Sequence, residues 1–278
     1  MDEPALQSRI EELRAASGVE AIGVQVFDFE TDREFSHEAD RWFHAASTMK
    51  VAVLLALFHA AENGRVRLED RLHVRNRFRS IADRSIFRVQ RDRDGDAVVH
   101  RRVGRSMKLA ELAEPMITRS SNLATNLLLD HLTPAGVHET LDAAGIAGVK
   151  VVRGVEDSVA FEQGLNNTVT PRGLAQLFRL LREDRLFPEA ARRQMLDILF
   201  AQEFNSMIPS LLPDQAQVAH KTGEISTCTH DAGLVLLPGR RPYAVAILTE
   251  HPAGLDDTQK TVAKVSRAIY EFITSQSS

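Results

Sequence analysis

The sequence predicts an α+β fold in which both ends of the chain contribute to one antiparallel sheet of about five strands. Strand-like segments occur near the N-terminus and again after residue 215, and the long segment between them has a mostly helical pattern. Amphipathic helices flank the strands at both termini. We therefore expect an α/β domain of residues 1–44 and 205–278, a helical domain of residues 45–204, and a site in the cleft between them.

The N-terminal elements follow from apolar spacing. Leu6, Ile10 and Leu13 recur at helical intervals within residues 4–16. AIGVQVFDF, which starts at Ala21, alternates like a strand, and the polar turn ETDRE leads to a second short strand near Phe35. These patterns predict a helix followed by two strands.

The remaining elements have clear boundary signals. The pattern is mostly helical from residue 47 to about residue 199, and Thr170-Pro171 marks one helix start with a threonine cap and proline in the first turn. Later, QVAHKTGE, DAGLVLL and YAVAILTE read as strands, and PGRRP joins the last two as a turn. One apolar helical face closes the chain: Val262, Val265, Ile269, Phe272 and Ile273.

Composition narrows the class of protein. The 278 residues are 44% hydrophobic and carry a net charge of -4, and the pI near 6.2 does not indicate nucleic acid or an anionic membrane as partner. The single cysteine, Cys228, excludes an intrachain disulfide and a four-thiolate zinc site. We expect no metal, no cofactor and a monomer. Because no apolar run could span a bilayer and the N-terminus does not resemble a signal peptide, we expect a cytoplasmic protein as encoded, or a periplasmic or secreted one if a leader was removed.

The stretch FHAASTMKVAVLLALF contains the first candidate for chemistry. Ser47 and Lys50 are three residues apart, so on a helix they share a face. A desolvated lysine with a lowered pKa could take the serine proton. The alternative is an ordinary helix whose first turn is capped by a serine, and for this motif alone the alternative is favoured.

Two further motifs are weak by themselves. Ser120-Ser121-Asn122 places a hydroxyl and an amide two residues apart, which is also a common helix start. Lys221-Thr222 precedes a glycine on a predicted strand, where a ligand can approach the backbone closely and the next amide, from Glu224, could bind an oxyanion.

The order and spacing of the three motifs are those of the penicillin-recognising serine enzymes. The chain resembles class A β-lactamases and related serine hydrolases over nearly its whole length. FHAASTMK resembles their nucleophile motif, MITRSSNLATNLLL their S-x-N helix, and TVTPRGLAQL the helix after their omega loop. The resemblance implies the β-lactamase/transpeptidase-like fold and a small acyl substrate, either a β-lactam or an acyl-peptide or ester.

The resemblance also implies roles in acylation. Ser47 would attack the carbonyl, and Lys50 would take its proton directly or through a glutamate-bound water. Ser120, assisted by Lys221, would protonate the departing nitrogen. The backbone N–H groups of Ser47 and Glu224 would stabilise the oxyanion.

By the same resemblance, substrate binding and deacylation involve further residues. Lys221 and Thr222 would bind the substrate carboxylate, and Asn122 would hold a side-chain amide. FEQGLNN matches the omega-loop motif E-x-x-L-N, so Glu162 would activate the hydrolytic water and Asn166 would fix it. Glu156, just after an arginine that resembles the one anchoring this loop, is the second-ranked candidate.

Departures from the family pattern affect turnover more than acylation. Ser121 replaces an aspartate, and the segment between Asn166 and Pro171 is shorter than usual. Slow deacylation by a related serine hydrolase is therefore the alternative to a β-lactamase. His230 occupies the approximate place of an arginine that reaches the substrate carboxylate, and it could do so only when protonated; a strand histidine paired with Asp231 or a backbone group is the equal alternative.

Residues 71–105 contain eleven arginines and no lysine. Interspersed aspartates and the absence of stacking aromatics favour a solvated excursion at the cleft mouth over a nucleic-acid surface. Within it, DRDGD, residues 92–96, is interpreted as a hairpin turn rather than a calcium loop. Cys228 is expected to be a buried thiol, with a thiol open to alkylation as the less favoured alternative.

Overall fold

A computed structural model describes residues 1–275 of the chain. Within them the α-helices are α1 (Glu3–Ser17), α2 (Lys50–Glu62), α3 (Leu109–Thr118), α4 (Asn122–Ala144), α5 (Ser158–Glu162), α6 (Pro171–Leu180), α7 (Glu189–Phe200) and α8 (Thr258–Ser275). The strands are β1 (Ala21–Asp28), β2 (Arg33–His37), β3 (Phe43–His44), β4 (Arg71–His73), β5 (Phe78–Arg79), β6 (Ile86–Phe87), β7 (Ser106–Lys108), β8 (Val149–Lys150), β9 (Thr168–Val169), β10 (Gln217–Ile225), β11 (Cys228–Leu236) and β12 (Tyr243–Glu250).

The main sheet has five strands in the order β10-β11-β12-β1-β2. All four pairings are antiparallel. Two strands come from the N-terminal part of the chain and three from the C-terminal part, so the predicted sheet is confirmed. A turn connects β11 and β12, as predicted from PGRRP.

The two faces of the sheet carry side chains of different size. One face presents branched residues such as Val24, Val245 and Ile247, which pack with α1 and α8. The other presents small residues such as Ala232 and Ala246, which join the core formed by α2, α3, α4, α6 and α7. Small side chains allow the helices to approach the second face closely, so the sheet is buried on both sides.

Helix α6 illustrates this close approach. A Cβ atom on Gly23 of β1 would lie 2.7 Å from Cγ of Pro171, the first residue of α6. The helix begins as predicted, because the Thr170 hydroxyl accepts a hydrogen bond from Gly173 N at 3.0 Å. Although α6 falls in the predicted helical domain, it packs directly on the sheet.

The segment between α2 and α3 departs from the helical prediction. It forms two small antiparallel pairs, β4 with β7 and β5 with β6. The DRDGD stretch follows β6 and pairs with no strand. The predicted hairpin is therefore wrong there. Polar and arginine-rich sequence without apolar periodicity cannot cover a core as a helix, which explains the irregular path.

Helix α2 is almost completely buried. Every residue from Lys50 to Phe58 is buried, including the lysine. A helix that is apolar all round must sit inside the protein. It therefore holds the residues at its N-terminal end in fixed positions relative to the sheet and to α4.

Candidate active site

Ser47 lies on a 3₁₀ turn, Ala46–Met49, that runs directly into α2. Its hydroxyl makes no capping hydrogen bond, and among residues 1–275 it has no side-chain partner. Ala46, just before it, has a φ of 44°, a conformation that is uncommon outside glycine. The capped-helix interpretation of this serine therefore does not hold, and the side chain is presented to the cleft.

Lys50 is fully buried one turn further on. Its Nζ donates to the Ser120 carbonyl at 2.8 Å, to Ser120 Oγ at 3.1 Å and to Asn122 Oδ1 at 2.9 Å. Burial lowers the pKa of Lys50 well below its ordinary value, and the nearby Lys221 charge lowers it further. All three ammonium hydrogens are bound, and yet the environment favours loss of one proton.

Ser120 lies in the short connection between α3 and α4, with a φ of 55°. Ser121 caps α4 by accepting a hydrogen bond from Ala124 N at 3.2 Å. Asn122, the first residue of α4, accepts from Lys50 and donates from Nδ2 to Glu156 Oε1 at 2.8 Å. The S-x-N motif therefore joins the buried lysine to a carboxylate.

The KTG strand, β10, brings a second buried lysine to the same serine. Lys221 Nζ donates to Ser120 Oγ at 3.2 Å and to the Thr222 carbonyl at 2.7 Å. Burial lowers the pKa of Lys221 to about 7, against the opposing effect of Asp231. A Cβ on Gly223 would lie 3.0 Å from Ser47 N, so the glycine lets the strand backbone touch the nucleophile turn.

Two neighbouring cavities of about 330 and 450 Å³ meet at the nucleophile. Both are lined by Ser47, Arg93, Asn122 and Glu224. Ser120 and Thr222 line the larger one, on the side of β10. The motifs predicted from spacing are therefore brought together on the wall of one cleft.

The two candidate glutamates are placed differently. Glu156 lines the smaller cavity together with Ser47, has a φ of 63°, and accepts a second hydrogen bond from Gln90 N at 2.8 Å. Glu162 ends the short helix α5, its side chain is exposed, and it lines neither cavity. The structure therefore brings the second-ranked glutamate, not the first, to the cleft.

The predicted water-fixing asparagine is also displaced. Asn166 accepts from Arg153 Nη2 at 2.7 Å and does not line the cavities. Its neighbour Asn167 lines the smaller cavity, but its amide binds loop backbone: it accepts from the amides of Val152 and Arg153 and donates to the Arg153 carbonyl. Both asparagine side chains therefore tie the loop together.

His230 does not reach the cleft. It is fully buried in β11, donates from Nε2 to the His44 carbonyl at 2.8 Å and accepts at Nδ1 from Thr249 N at 3.1 Å. Burial lowers its pKa to about 4. The expected contact with a substrate carboxylate is corrected to that of a neutral histidine paired with backbone groups, while Asp231 pairs with His220.

Three residues at or next to the cleft were missed: Arg93 lines both cavities, His44 lines the smaller one, and Asp94 is buried against Asn122 outside both. Arg93 and Asp94 belong to the DRDGD stretch, in which only a turn was recognised. His44, three residues before the nucleophile, accepts the Ala46 amide hydrogen at its Nδ1 at 3.0 Å and so supports the unusual φ there. A histidine immediately preceding the motif was the available signal for the last of these.

Other sequence features have simple outcomes. Cys228 is buried, and burial raises the pKa of its thiol to about 12, which disfavours the thiolate needed for alkylation. Across residues 1–275 no three His, Cys, Asp or Glu side chains are grouped so that they could hold a metal ion. No helix in this range is long and apolar enough to cross a membrane.

The model of the beta-lactamase enzyme family matches residues 5–273. The chain belongs to this family. The predicted resemblance is thereby confirmed, and the family supports the predicted class of enzyme, a hydrolase of the β-lactamase type.

Individual relatives of this β-lactamase-family chain are distant. The extended-spectrum beta-lactamase PER-1 of Pseudomonas aeruginosa is 24% identical over 243 residues, which is 83% of this chain and 75% of the relative. A beta-lactamase of Streptomyces albus G is 28% identical over 282 residues, which is 96% of this chain and 84% of the relative.

Solved structures confirm the fold of this family member. PBP-A superposes with a TM-score of 0.83 at 27% identity, covering 98% of this chain and 96% of that one. A mutant of PBP-A, solved as an acyl-enzyme complex with penicillin-G, has a TM-score of 0.83 at 26% identity. The ancestral (GNCA) class A beta-lactamase has a TM-score of 0.81 at 29% identity, covering 96% of this chain and 99% of that one.

Proposed function

We propose that this protein is a serine β-lactamase that opens the β-lactam amide bond through an acyl-enzyme on Ser47. The observation that carries the proposal is the convergence of two buried lysines on one serine hydroxyl beside the nucleophile turn. Lys50 and Lys221 both donate to Ser120 Oγ, at 3.1 and 3.2 Å. Placing two ammonium groups out of water is costly, so a purely structural cluster of this kind is not expected.

Acylation follows from this arrangement. Ser47 Oγ attacks the lactam carbonyl while its proton passes to Lys50. Because burial lowers the pKa of Lys50, a larger fraction of this lysine is neutral near pH 7, and only the neutral amine can accept the proton. The negative charge on the carbonyl oxygen is stabilised by the backbone N–H groups of Ser47 and Glu224, because Gly223 holds β10 against the nucleophile turn. As the C–N bond breaks, Ser120 gives its proton to the nitrogen and is reprotonated from Lys50 or Lys221.

Substrate orientation uses the other residues that line the cleft. On the β10 side, Thr222 lines the larger cavity and binds the substrate carboxylate together with Lys221, which is buried beside it. Asn122 uses one Nδ2 hydrogen on Glu156, which leaves the other for a carbonyl of the substrate side chain. These contacts fix the lactam over Ser47.

For deacylation we assign Glu156, in place of Glu162, as the group that activates water. Glu156 shares a cavity with Ser47, and its Oε1 is held by Asn122, whereas Glu162 is exposed outside both cavities. A general base must lie within hydrogen-bond reach of its water, directly beside the acyl group. Of the two glutamates, Glu156 is the one that shares a cavity with Ser47 and so supports this assignment.

A related serine hydrolase with slow deacylation is the second candidate. One observation favours it: the amides of Asn166 and Asn167 are both engaged within the loop, so a water beside Glu156 receives no asparagine from this segment. Such an enzyme would acylate readily and release product slowly. Its substrate would be a peptide or ester, and its β-lactamase activity would be weak.

Intact-protein mass spectrometry after mixing with benzylpenicillin tests both candidates. A β-lactamase shows penicillin consumption over many turnovers with an adduct on Ser47 at early times. A slow deacylator shows a persistent stoichiometric adduct. Absence of any adduct in the wild type, or an adduct of equal size in S47A, would refute Ser47 as the nucleophile.

We propose further that the enzyme acts as a monomer, because the exposed large apolar side chains are scattered along the chain. We also propose that it acts on small molecules without nucleic acid, because its net charge is -4. Light scattering coupled to size-exclusion chromatography measures the mass directly. A stable dimer would contradict this part of the proposal.

A further inference from the structure

The turn formed by Asp94, Gly95 and Asp96 packs directly on the segment that carries Ser120. Asp94 is completely buried at its side chain. Its Oδ1 accepts a hydrogen bond from Asn122 N at 2.9 Å, and its Oδ2 accepts one from Leu123 N at 2.9 Å. A carboxylate from a distant part of the chain therefore binds the first amides of α4, where the helix dipole favours negative charge.

The other two residues of the turn strengthen the same contact. A Cβ on Gly95 would lie only 2.2 Å from the carbonyl oxygen of Arg119, so only glycine permits this approach. Asp96, also buried, accepts from Arg119 Nε at 2.8 Å and from Val99 N at 2.8 Å. The turn therefore contacts the chain on both sides of Ser120: Arg119 before it, and Asn122 and Leu123 after it.

Asp94 itself has little freedom. Its Oδ2 lies 2.9 Å from His100 Nε2, and the His100 side chain is nearly buried. The Ser121 hydroxyl lies 3.4 Å from the same oxygen. The Asp96 amide also donates to Asp94 Oδ1, at 3.1 Å. With five polar groups around it, this carboxylate is far better satisfied than an ordinary capping aspartate at a surface turn.

The segment around Ser120 needs support from its surroundings, because Ser120 has a φ of 55°. A non-glycine residue in this conformation persists only where its surroundings hold it. From the cleft side, Lys50 binds the Ser120 carbonyl and the Asn122 amide oxygen. From the opposite side, Asp94 binds the amides that follow. Lys50 and Asp94 therefore hold one short segment between them.

We propose that Asp94 is a positioning residue for acyl transfer, which fixes Ser120 and Asn122 from behind so that both meet Lys50. The inference rests on the proposed function, since it concerns the rate at which Ser47 is acylated. It also assigns a role to a motif, DRDGD, in which the sequence alone indicated only a turn.

The charge of Asp94 has a second effect on the same lysine. Lys221 and burial lower the pKa of Lys50, while Asp94 and Glu156 raise it. Removing the Asp94 charge should lower the pKa of Lys50 further. If neutral Lys50 is the proton acceptor, the acidic limb of the acylation rate then moves to lower pH.

The test compares D94N with D83N, using acylation by benzylpenicillin followed by mass spectrometry. Asp83 is a matched control because it caps an exposed turn of the same excursion, at Ser85 N, away from the cleft. We expect D94N to slow acylation on the order of 10- to 100-fold, as small misplacements of reacting groups do. D83N should acylate at the wild-type rate. An unchanged rate in D94N, or an equal loss in D83N, overturns the proposal.

Two further readouts separate positioning from general stability. Hydrogen exchange should show the Asn122 and Leu123 amides less protected in D94N, and the acidic limb of its pH profile should move down. A rate loss with protection and profile both unchanged overturns the proposal. If the wild type itself is not acylated, the proposed function fails, and the exchange of these two amides still reports on the Asp94 contact.

Should D94N not fold, the exchange variant D94S/S121D restores a carboxylate from the neighbouring position. Ser121 Oγ already lies beside Asp94 Oδ2, so the new carboxylate stands close to the same amides. Recovery of folding and of acylation supports the proposal. A folded exchange variant without acylation overturns it.

Discussion

The lysine–serine cluster, formed by Ser47, Lys50, Ser120 and Lys221, differs sharply from the loop of residues 151–169. The two lysines of the cluster are completely buried. One lies on the core helix α2 and the other on β10 of the main sheet. The loop contains a helix of only five residues, and two of its apolar side chains, Phe161 and Leu165, are 49% and 41% exposed. The cluster is held by the core, and the loop is held by hydrogen bonds.

Several of those hydrogen bonds come from two asparagine side chains, one in α4 and one in the loop. Asn126 of α4 donates to the Val155 carbonyl at 2.9 Å and accepts from Val155 N at 2.7 Å. Asn167 binds the backbone at Val152 and Arg153. Because each such bond contributes only about 1 kcal/mol net, the loop is the less stable of the two regions. Acylation and deacylation should therefore be separable by mutation.

The largest expected effect is a break in the cluster through K50M. The change removes the proposed proton acceptor and leaves the Ser120 carbonyl and Asn122 Oδ1 without their donor, while Ser120 Oγ keeps Lys221. We expect acylation to fall by about 10⁴-fold, the upper end for a general base. Stopped-flow nitrocefin kinetics measure it. Lys150, an exposed strand residue, provides the control, and K150M should behave as wild type.

E156Q should impair deacylation, which depends on the loop, and leave the lysine–serine cluster unchanged. Glutamine keeps the size of Glu156 but cannot take a proton from water, so deacylation should slow by about 10³-fold while acylation changes much less. Mass spectrometry would then show an accumulating acyl-enzyme. E162Q is the matched control, since Glu162 is exposed. If E162Q traps the acyl group and E156Q does not, our assignment of the base is wrong.

G223A should distort the contact between strand and nucleophile turn. The added methyl group would stand 2.9 Å from Thr48 N and 3.0 Å from Ser47 N, so one backbone must shift. We expect acylation to fall on the order of 10- to 100-fold, with little change in the ratio of acylation to deacylation. A Cβ on Gly136 would meet Thr133 Oγ1 at 3.8 Å, an ordinary van der Waals contact, so G136A is the control. Full activity in G223A would contradict the close packing inferred at this point.

The smallest effect is on stability, through K221M. Lys221 has its pKa lowered from 10.5 to about 7 by burial, so between these values the folded protein binds fewer protons than the unfolded chain. Wild-type stability should therefore rise with pH across this window. K221M should show a smaller slope, because only Lys50 then contributes to it, and should be more stable near pH 7, on the order of 1–4 kcal/mol, although inactive.

Urea unfolding at about pH 7 and about pH 9 measures both quantities for K221M and the wild type. A variant that is less stable than the wild type at the lower pH would show that the buried ammonium is stabilising. The cluster would then owe its rigidity to its charges rather than to the surrounding core.

Much of the cluster could be predicted from spacing. Ser47 and Lys50 are neighbours on one helical turn, so their proximity is local. Their distance from Ser120 and Lys221 is not local, yet the three motifs together identified the family, and the observed contacts follow. The sheet, the terminal helices and the Thr170 cap could likewise be predicted, because apolar periodicity and capping residues act over short stretches.

The sequence by itself determined which residue types meet at the nucleophile and which strands form the sheet. Only the tertiary structure brought Glu156 rather than Glu162 to the cleft, buried His230 inside β11, and placed Asp94 behind Ser120. The physical reason is the same in each case. In an irregular loop no fixed period relates sequence position to direction, so a backbone turn such as the one at Glu156, with its φ of 63°, selects the side chain that faces the cleft.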